Sequence, residues 1–425
     1  MSGGNSVTID GVTREKRFPW VMLLLITIVF FALQYRSGMI EGFSQEVSDV
    51  AKGYETGNAL RQFLLVSLGL TGLFSLCRNR GEPLGVRGVL GGTMVLYLVL
   101  ALASVAWAED PALTVRRFIA FAMMFIAIVA VVSRLPATTM MEFLVAVTSA
   151  YMAVGLCAEL ASGAFHPFQA GYRFSGLYHP NAVGVDCAFL IIAAFSAECR
   201  GRRRWLLWGA GAAGFALLIL SRSRTSLACA LVALAARWLL TARLSRKLIF
   251  LGLSGWLLCV VFLVFGDALF PAIGKMFLLG RGDSDVRTLT GRTDLWEELL
   301  FYARQRPLLG YGFGGFWGVR HVYEVSASQG WSVGIGHSTY IDQVLELGIA
   351  GLAVHLLMLG EALRRSAVYA LRSGDTGYAF IFSVVIFAIL GGILETVTPY
   401  PSLTTFTIFW AMAYLAFRRP VAAEG

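Results

Sequence analysis

The chain has 425 residues, 57% of them hydrophobic and only 14% charged, and a mean hydropathy of +0.69. That composition excludes a water-soluble domain of this length and points to a multi-pass membrane protein. The formal net charge of +9 lies in short basic clusters between apolar runs, where membrane orientation accounts for it without nucleic acid as a partner.

Apolar runs long enough to cross a bilayer can be read from Pro19 to Tyr35, Gln62 to Cys77, Gly88 to Trp107, Phe118 to Val132, Met140 to Leu160 and Val183 to Ala197. They continue from Trp205 to Leu220, Leu227 to Leu240, Leu248 to Phe265, Tyr340 to Leu363, Tyr378 to Leu394 and Leu403 to Phe417. The expected fold is an all-α integral membrane protein of about twelve helices. Its sections are a tail (1–17), nine spans (18–265), a large outer loop with short helices (266–339), three spans (340–417) and a second tail (418–425). The first run lacks a small-residue cleavage site, so it is expected to stay as a span.

Dense basic clusters at Arg14/Lys16/Arg17, Arg78/Arg80/Arg87, Arg200/Arg202/Arg203/Arg204, Arg243/Arg246/Lys247, Arg364/Arg365/Arg372 and Arg418/Arg419 share one side if every run crosses. Both termini are then expected to be cytoplasmic. Cys157, Cys187, Cys229 and Cys259 lie in spans, and Cys77 and Cys199 at cytoplasmic ends. The outer loops are therefore expected to hold no disulfide and no cysteine metal site.

On the outer face, the stretch from Arg36 to Asn58 is mixed in charge and suggests a surface helix without chemistry. The next connection, Trp107 to Pro111, leads into Arg116 and Arg117, on the side where arginine is disfavoured. Interfacial anchoring by Trp107 and snorkelling by Arg116 compete with a functional reading. The loop Phe165–Asn181 interleaves aromatics with Arg173, His179 and Asn181, a mixture suited to a sugar or a diphosphate, although an aromatic interfacial belt explains the rings equally well. Asp186, one turn into the next span, is an intramembrane acid and most simply the partner of an arginine. Arg222 and Arg224 sit among serines and Thr225 in a very short connection, where two close cations call for an anion.

In the large loop, Thr293 or Asp294 can cap a helix with Leu295, Trp296, Leu299, Leu300 and Ala303 on its apolar face. Glu297 would complete a box with Asp294, and Pro307 would stop the helix. Arg292 then stands at a helix N-terminus, which favours anions; pairing with Asp294 is its bland alternative. Gly310, Gly312, Gly314 and Gly315 resemble a phosphate loop, but without a surrounding βαβ unit close backbone packing is the expected use. Asp283 and Asp285 form an Asp-x-Asp pair outside any strand context, and a zinc site from His166, His179, His321 and His337 has no supporting spacing. No metal or other cofactor is expected. His337 stands one turn or less before the next span, where a neutral imidazole can accept a hydroxyl proton, with a structural role as its competitor. Asp342 and Glu346, four apart on one helix face, can orient it or pair with arginines.

The ordered series Trp107-x-x-Asp110-Pro111-x-x-Thr114-x-x-Arg117, His179-Pro180-Asn181, Ser221-Arg222-Ser223-Arg224-Thr225, Gly291-Arg292-Thr293-Asp294-Leu295-Trp296, Pro307-Leu308-Leu309-Gly310-Tyr311-Gly312 and His337-Ser338-x-Tyr340-Ile341-Asp342 resembles the bacterial O-antigen ligase and polymerase family. The exopolysaccharide-polymerase branch is the nearest likeness. Ser338 stands where that family usually has asparagine. The resemblance implies a metal-independent, inverting membrane glycosyltransferase of the GT-C type in the bacterial inner membrane. Its donor would be an oligosaccharide on undecaprenyl pyrophosphate, used at the periplasmic face. Chain-length regulator and export proteins are possible partners, besides membrane lipid. The resemblance assigns the catalytic histidine to His337 and the pyrophosphate arginines to Arg224 and Arg292, with Arg222, Arg117 and Arg173 as weaker candidates; Arg116 joins the candidate substrate contacts from its place on the outer face. His179, Asn181, Asp294, Tyr340 and Asp342 complete the candidate binding set, and Trp296, Tyr311, Phe313 and Trp317 are candidates for stacking on sugar rings, although packing is the commoner use of each such ring. An O-antigen ligase acting on lipid A-core and, in another class, a lipid-sugar flippase or transporter are the competing readings.

Overall fold

The computed structural model describes residues 9–34, 59–78, 81–169, 171–197, 201–243, 245–246 and 292–419. The expected span from Leu248 to Phe265, the stretch from Arg36 to Asn58, Gly291, Cys199, Cys259, Arg281, Arg287 and the Asp283/Asp285 pair lie outside these residues.

The protein is an all-α membrane protein, with no strand among the described residues. Its helices are α1 (Ile9–Gln34), α2 (Ala59–Cys77), α3 (Gly88–Ala103), α4 (Pro111–Arg134), α5 (Ala137–Ser162), α6 (Pro180–Ser196), α7 (Arg202–Leu220) and α8 (Arg224–Thr241). Then follow α9 (Arg292–Gln305), α10 (Val319–Gln329), α11 (Thr339–Ser373), α12 (Thr376–Leu394) and α13 (Leu403–Phe417). Among the described residues 7 helices are long and apolar enough to cross a membrane, and three shorter apolar helices accompany them. The apolar runs set these elements, and local chemistry sets their ends. Asp110 accepts from the Leu113 amide at 2.9 Å with Pro111 in the first turn of α4. Asp375 and Ser402 cap α12 and α13 in the same way, accepting from the Gly377 and Thr405 amides at 2.7 and 3.0 Å.

α12 and α13 form the centre of the bundle; every residue of α13 from Leu403 to Phe417 is buried. Phe409 packs edge-on to Phe121 at 5.0 Å, and Phe121 meets Phe313 from the large loop at 5.4 Å. α1, α2 and α7 carry large exposed apolar side chains such as Trp20, Phe63 and Trp205, which suit a lipid-facing surface.

The large loop has a small core of its own. Leu295, Leu299 and Ala303 of α9 pack with Phe316, Trp317, Val322 and Val325. Leu300, expected on this face, is 42% exposed. The helix also begins earlier than read: Arg292 is its first residue, so Asp294 lies inside the first turn and is exposed instead of capping. An acid there still complements the helix dipole.

The stretch expected to enter the membrane at Tyr340 is helical from Thr339 but breaks at Gly348 (φ 66°, ψ −164°), a conformation that only glycine adopts readily. In a straight helix residues 340 and 355 would be about 22 Å apart along the axis; here the Tyr340 and His355 rings are 6.4 Å apart. The chain therefore bends sharply between a short half (339–347) and a long half (349–373). Backbone groups freed by the break pair with the Pro307–Gly312 segment: Tyr311 and Gly312 donate to the Leu345 and Glu346 carbonyls at 2.8 and 2.9 Å, and Ile349 donates to the Pro307 carbonyl at 2.8 Å. A Cβ on Gly310 would lie 2.6 Å from the Leu345 carbonyl oxygen. Close backbone packing is what this glycine supplies.

Candidate functional site

At the end of the bundle where α12 stops, three segments distant in sequence converge on Glu395. This residue caps α12, and its carboxylate is 12% exposed. Arg292, opening α9, donates one nitrogen to Glu395 Oε1 at 2.8 Å and another to the Leu394 carbonyl left open at the helix end. Asn181, in the first turn of α6, donates to the same Oε1 at 3.2 Å. Arg173 extends the chain, donating to Asn181 Oδ1 at 2.7 Å and to the Ser221 carbonyl at 2.9 Å. His337 completes the group, its Nδ1 4.0 Å from Glu395 Oε2. Burial alone would push the Glu395 carboxyl up, but His337 and Arg292 beside it more than offset that and hold it below the usual glutamate range.

His337 itself has a left-handed backbone, with φ 50°. Such a conformation is sparsely populated by residues other than glycine and persists only where surroundings enforce it. Thr339 donates from its amide and its hydroxyl to the Glu395 carbonyl, each at 3.2 Å, and Trp296 Nε1 donates to the Gly336 carbonyl at 2.9 Å. The Trp331 ring lies 5.6 Å from the imidazole. Among the described residues Nδ1 has no hydrogen-bond partner.

The Ser221–Thr225 connection supplies two further arginines. Arg222 is also left-handed, with φ 53°, and Arg224 is the first residue of α8. Both are half-buried, and neither guanidinium makes a hydrogen bond or ion pair with another described residue. α8 packs along α12, and Cys229, one turn further on, lies within electrostatic reach of Glu395.

Other residues singled out in the sequence have structural partners. Arg117 donates to the Gly314 and Trp317 carbonyls, the second at 2.8 Å, and so braces the glycine-rich part of the large loop. Arg116 is half-buried on α4. His179 caps α6, its Nδ1 accepting from the Asn181 amide at 3.2 Å. Tyr340 donates to the Ile389 carbonyl at 2.7 Å. Asp342 is fully buried and accepts from Trp317 Nε1, the Gly336 amide and the Thr396 hydroxyl at 2.8, 3.0 and 2.6 Å. Glu346 accepts from the Tyr400 hydroxyl. Asp294 receives the Thr293 hydroxyl at 3.4 Å, and Arg292 pairs with Glu395 instead of Asp294. Arg320 is bound to Glu109 at 2.6 Å. Tyr311, Phe313 and Trp317 are buried, so they pack and present no face to a sugar; Trp296 and Trp331 are the half-buried rings beside His337. His321 stacks on Phe316 at 4.3 Å and shares its ring nitrogens with the Phe316 carbonyl and Arg320.

Sequence reasoning missed Glu395. Its one signal was an acid closing an otherwise apolar span, the kind of residue that marks function inside a membrane. It also missed Glu159, buried near the end of α5, which accepts from the Tyr172 hydroxyl and from the Ser175 and Gly176 amides at 2.9 and 2.7 Å. That carboxylate shapes the loop presenting Arg173 and Asn181.

Residues 209–356 match the O-antigen ligase family. The chain is also similar to the exopolysaccharide production protein ExoQ of Rhizobium meliloti (strain 1021), with 27% identity over 290 residues, covering 63% of this chain and 63% of that relative's length. Both findings support the family resemblance drawn from the motifs. The matched segment contains Arg222, Arg224, Arg292, His337 and Asp342, whereas Arg173, Asn181 and Glu395 lie outside it.

Proposed function

We propose that this protein of the O-antigen ligase and exopolysaccharide polymerase family joins lipid-linked oligosaccharide repeat units into a surface polysaccharide. The donor is an oligosaccharide on undecaprenyl pyrophosphate, taken at the periplasmic face of the bacterial inner membrane. The observation that carries this reading is the His337 imidazole held beside the Glu395–Arg292 pair at one end of a membrane bundle, with Arg222 following Ser221, whose carbonyl Arg173 holds, and Arg224 opening the helix that packs on α12, both uncommitted among the described residues.

With Nδ1 turned toward Glu395, Nε2 is the nitrogen that takes the proton from an acceptor hydroxyl. The oxygen attacks the anomeric carbon, the new C–O bond forms with inversion, and the bond to the pyrophosphate oxygen breaks. The leaving lipid pyrophosphate keeps the electron pair. Arg292, Arg224 and Arg222 stabilise that charge through bidentate contacts, so the reaction uses neither metal nor nucleotide. The imidazolium formed at His337 gains a neighbouring carboxylate, the arrangement that favours a histidine base. Chain-length regulator and export proteins are the partners this role calls for.

The similarity to a protein named for exopolysaccharide production favours polymerisation over ligation. Purified protein given one lipid-linked repeat unit, with a chelator present, should make a ladder of lipid-linked oligomers. Transfer of a single chain to added lipid A-core without a ladder would establish the ligase reading, and a demand for divalent metal would overturn the arginine-only account.

A further inference from the structure

Asp342 lies on the first turn of α11, fully buried, where an unpaired carboxylate would be costly. It accepts from three protein donors, and two of them flank the proposed chemistry. The Gly336 amide, which it accepts at 3.0 Å, belongs to the residue immediately before His337. The Thr396 hydroxyl, which it accepts at 2.6 Å, belongs to the residue immediately after Glu395. A third donor, Trp317 Nε1 at 2.8 Å, comes from the core of the large loop. One carboxylate therefore fastens the His337 turn, the end of α12 and the large loop to a single point. The fit at Gly336 is close: a Cβ there would stand 2.7 Å from Asp342 Oδ1.

Resting on the polymerase reading, we infer that Asp342 is a positioning residue that touches no substrate and sets the separation and orientation of His337 relative to Glu395. The left-handed backbone of His337 needs enforcement from its surroundings. Neighbouring contacts supply part of it: Ser338 Oγ donates to the Gly392 carbonyl at 3.3 Å, and the Val397 amide donates to Thr339 Oγ1 at 2.9 Å. Among the described residues Asp342 is the acidic side chain that joins both sides of the His337–Glu395 pair. Its work is done by hydrogen-bond geometry, so an amide of the same shape should serve. Asparagine can accept the Gly336 and Trp317 N–H groups on its oxygen and donate to the Thr396 hydroxyl, which is both donor and acceptor.

The test uses the full-length protein in lipid nanodiscs with ¹⁵N-labelled histidine, its five imidazoles resolved by NMR and His337 assigned through His337→Gln. Asp342→Ala should shift or broaden the His337 resonances and lower kcat by ten-fold or more at nearly constant KM for the lipid-linked donor. Asp342→Asn should restore both the spectrum and most of kcat. Thr396→Val, a milder change, should move the His337 signal in the direction of Asp342→Ala. An unchanged His337 spectrum in both Asp342→Ala and Thr396→Val would overturn the inference. So would Asp342→Asn failing as badly as Asp342→Ala, or a KM rise that carries the whole effect, since either marks a charge on substrate. If the wild type makes no product while the spectra respond as described, the polymerase reading falls and the positioning role stands.

Discussion

The two ends of the bundle use the same residue type in opposite ways. At one end, arginines are staples: Arg418 donates to the Leu135 and Val132 carbonyls at 2.8 and 3.2 Å, and Arg134 to the Ser75 carbonyl at 2.7 Å. Arg365 ties Glu361 at 2.8 Å to the Leu415 carbonyl at 3.2 Å. These contacts satisfy carbonyls that helix ends leave open. At the other end Arg292 makes the same kind of staple on Leu394 but also holds a carboxylate that faces a histidine, while Arg222 and Arg224 have no such duty among the described residues. Arginine count therefore says little about function here. What distinguishes the second end is that its uncommitted arginines, Arg222 and Arg224, are half-buried and accompany a carboxylate–histidine pair, whereas those of the first end, such as Arg372 and Arg419, are exposed.

The sharpest way to break this contrast sets His337→Ala against Arg365→Ala. Loss of a general base should lower turnover by roughly 100- to 10,000-fold with donor binding largely kept. Arg365→Ala should lower thermal stability while leaving the rate per folded molecule unchanged. Initial rates and melting curves on the same preparations decide it; comparable rate losses would erase the distinction between ends.

A second comparison separates the arginines within the site. Arg292→Ala and Arg224→Ala should each abolish or nearly abolish product, and lysine at either position should recover little because bidentate phosphate contacts are lost. Their effects on folding should differ. Removing Arg292 strands the Glu395 carboxylate and should cost roughly 3 kcal/mol, the scale for breaking a largely buried pair. Removing Arg224 should leave stability nearly unchanged. Equal destabilisation by both would mean that Arg224 is a staple after all.

The smallest expected effect concerns acid. Burial pushes the His321 imidazole below its ordinary value of 6.5. The folded large loop therefore resists protonation, while the unfolded chain accepts it. The stability contributed by a neutral His321 is fully present above pH about 6.5 and declines as pH falls below that value. Hydrogen exchange in α10 should quicken between pH 7 and 5.5, and His321→Gln should flatten that dependence. The staple end, held by arginines, should exchange at a pH-corrected rate that does not change over this window.

Much of this architecture was legible in the sequence. Each of the expected spans that falls on described residues is helical, the one from Tyr340 being broken at Gly348, because runs of apolar residues have few other solutions in a membrane. Arg292, Arg173, Asn181 and His337 stood out because polar side chains at the ends of such runs are costly to place. Glu395 escaped because a single acid after Ile393 and Leu394 carries no periodicity, and its partners come from α6, α9 and the His337 turn. Arg117 was visible as an arginine, but its bond to Trp317 spans 200 positions, so no local pattern could show that it braces a loop. The break at Gly348 was hidden for a different reason: Leu345, Leu347, Ile349 and Ala350 keep the sequence apolar across it, and the distinguishing contact is with Leu308 and Leu309.

That break has a mechanical consequence. Bilayers vary in thickness, and a spanning helix answers by tilting. In a continuous α11 any tilt of residues 349–373 would be levered straight into the turn that holds His337. At Gly348 the lever is broken, and both halves are tied to one backbone segment, residues 345 and 346 through Tyr311 and Gly312 and residues 349 and 350 through Pro307 and Leu308. The angle between the spanning half and the turn that holds His337 is therefore set by that segment and not by a continuous helix.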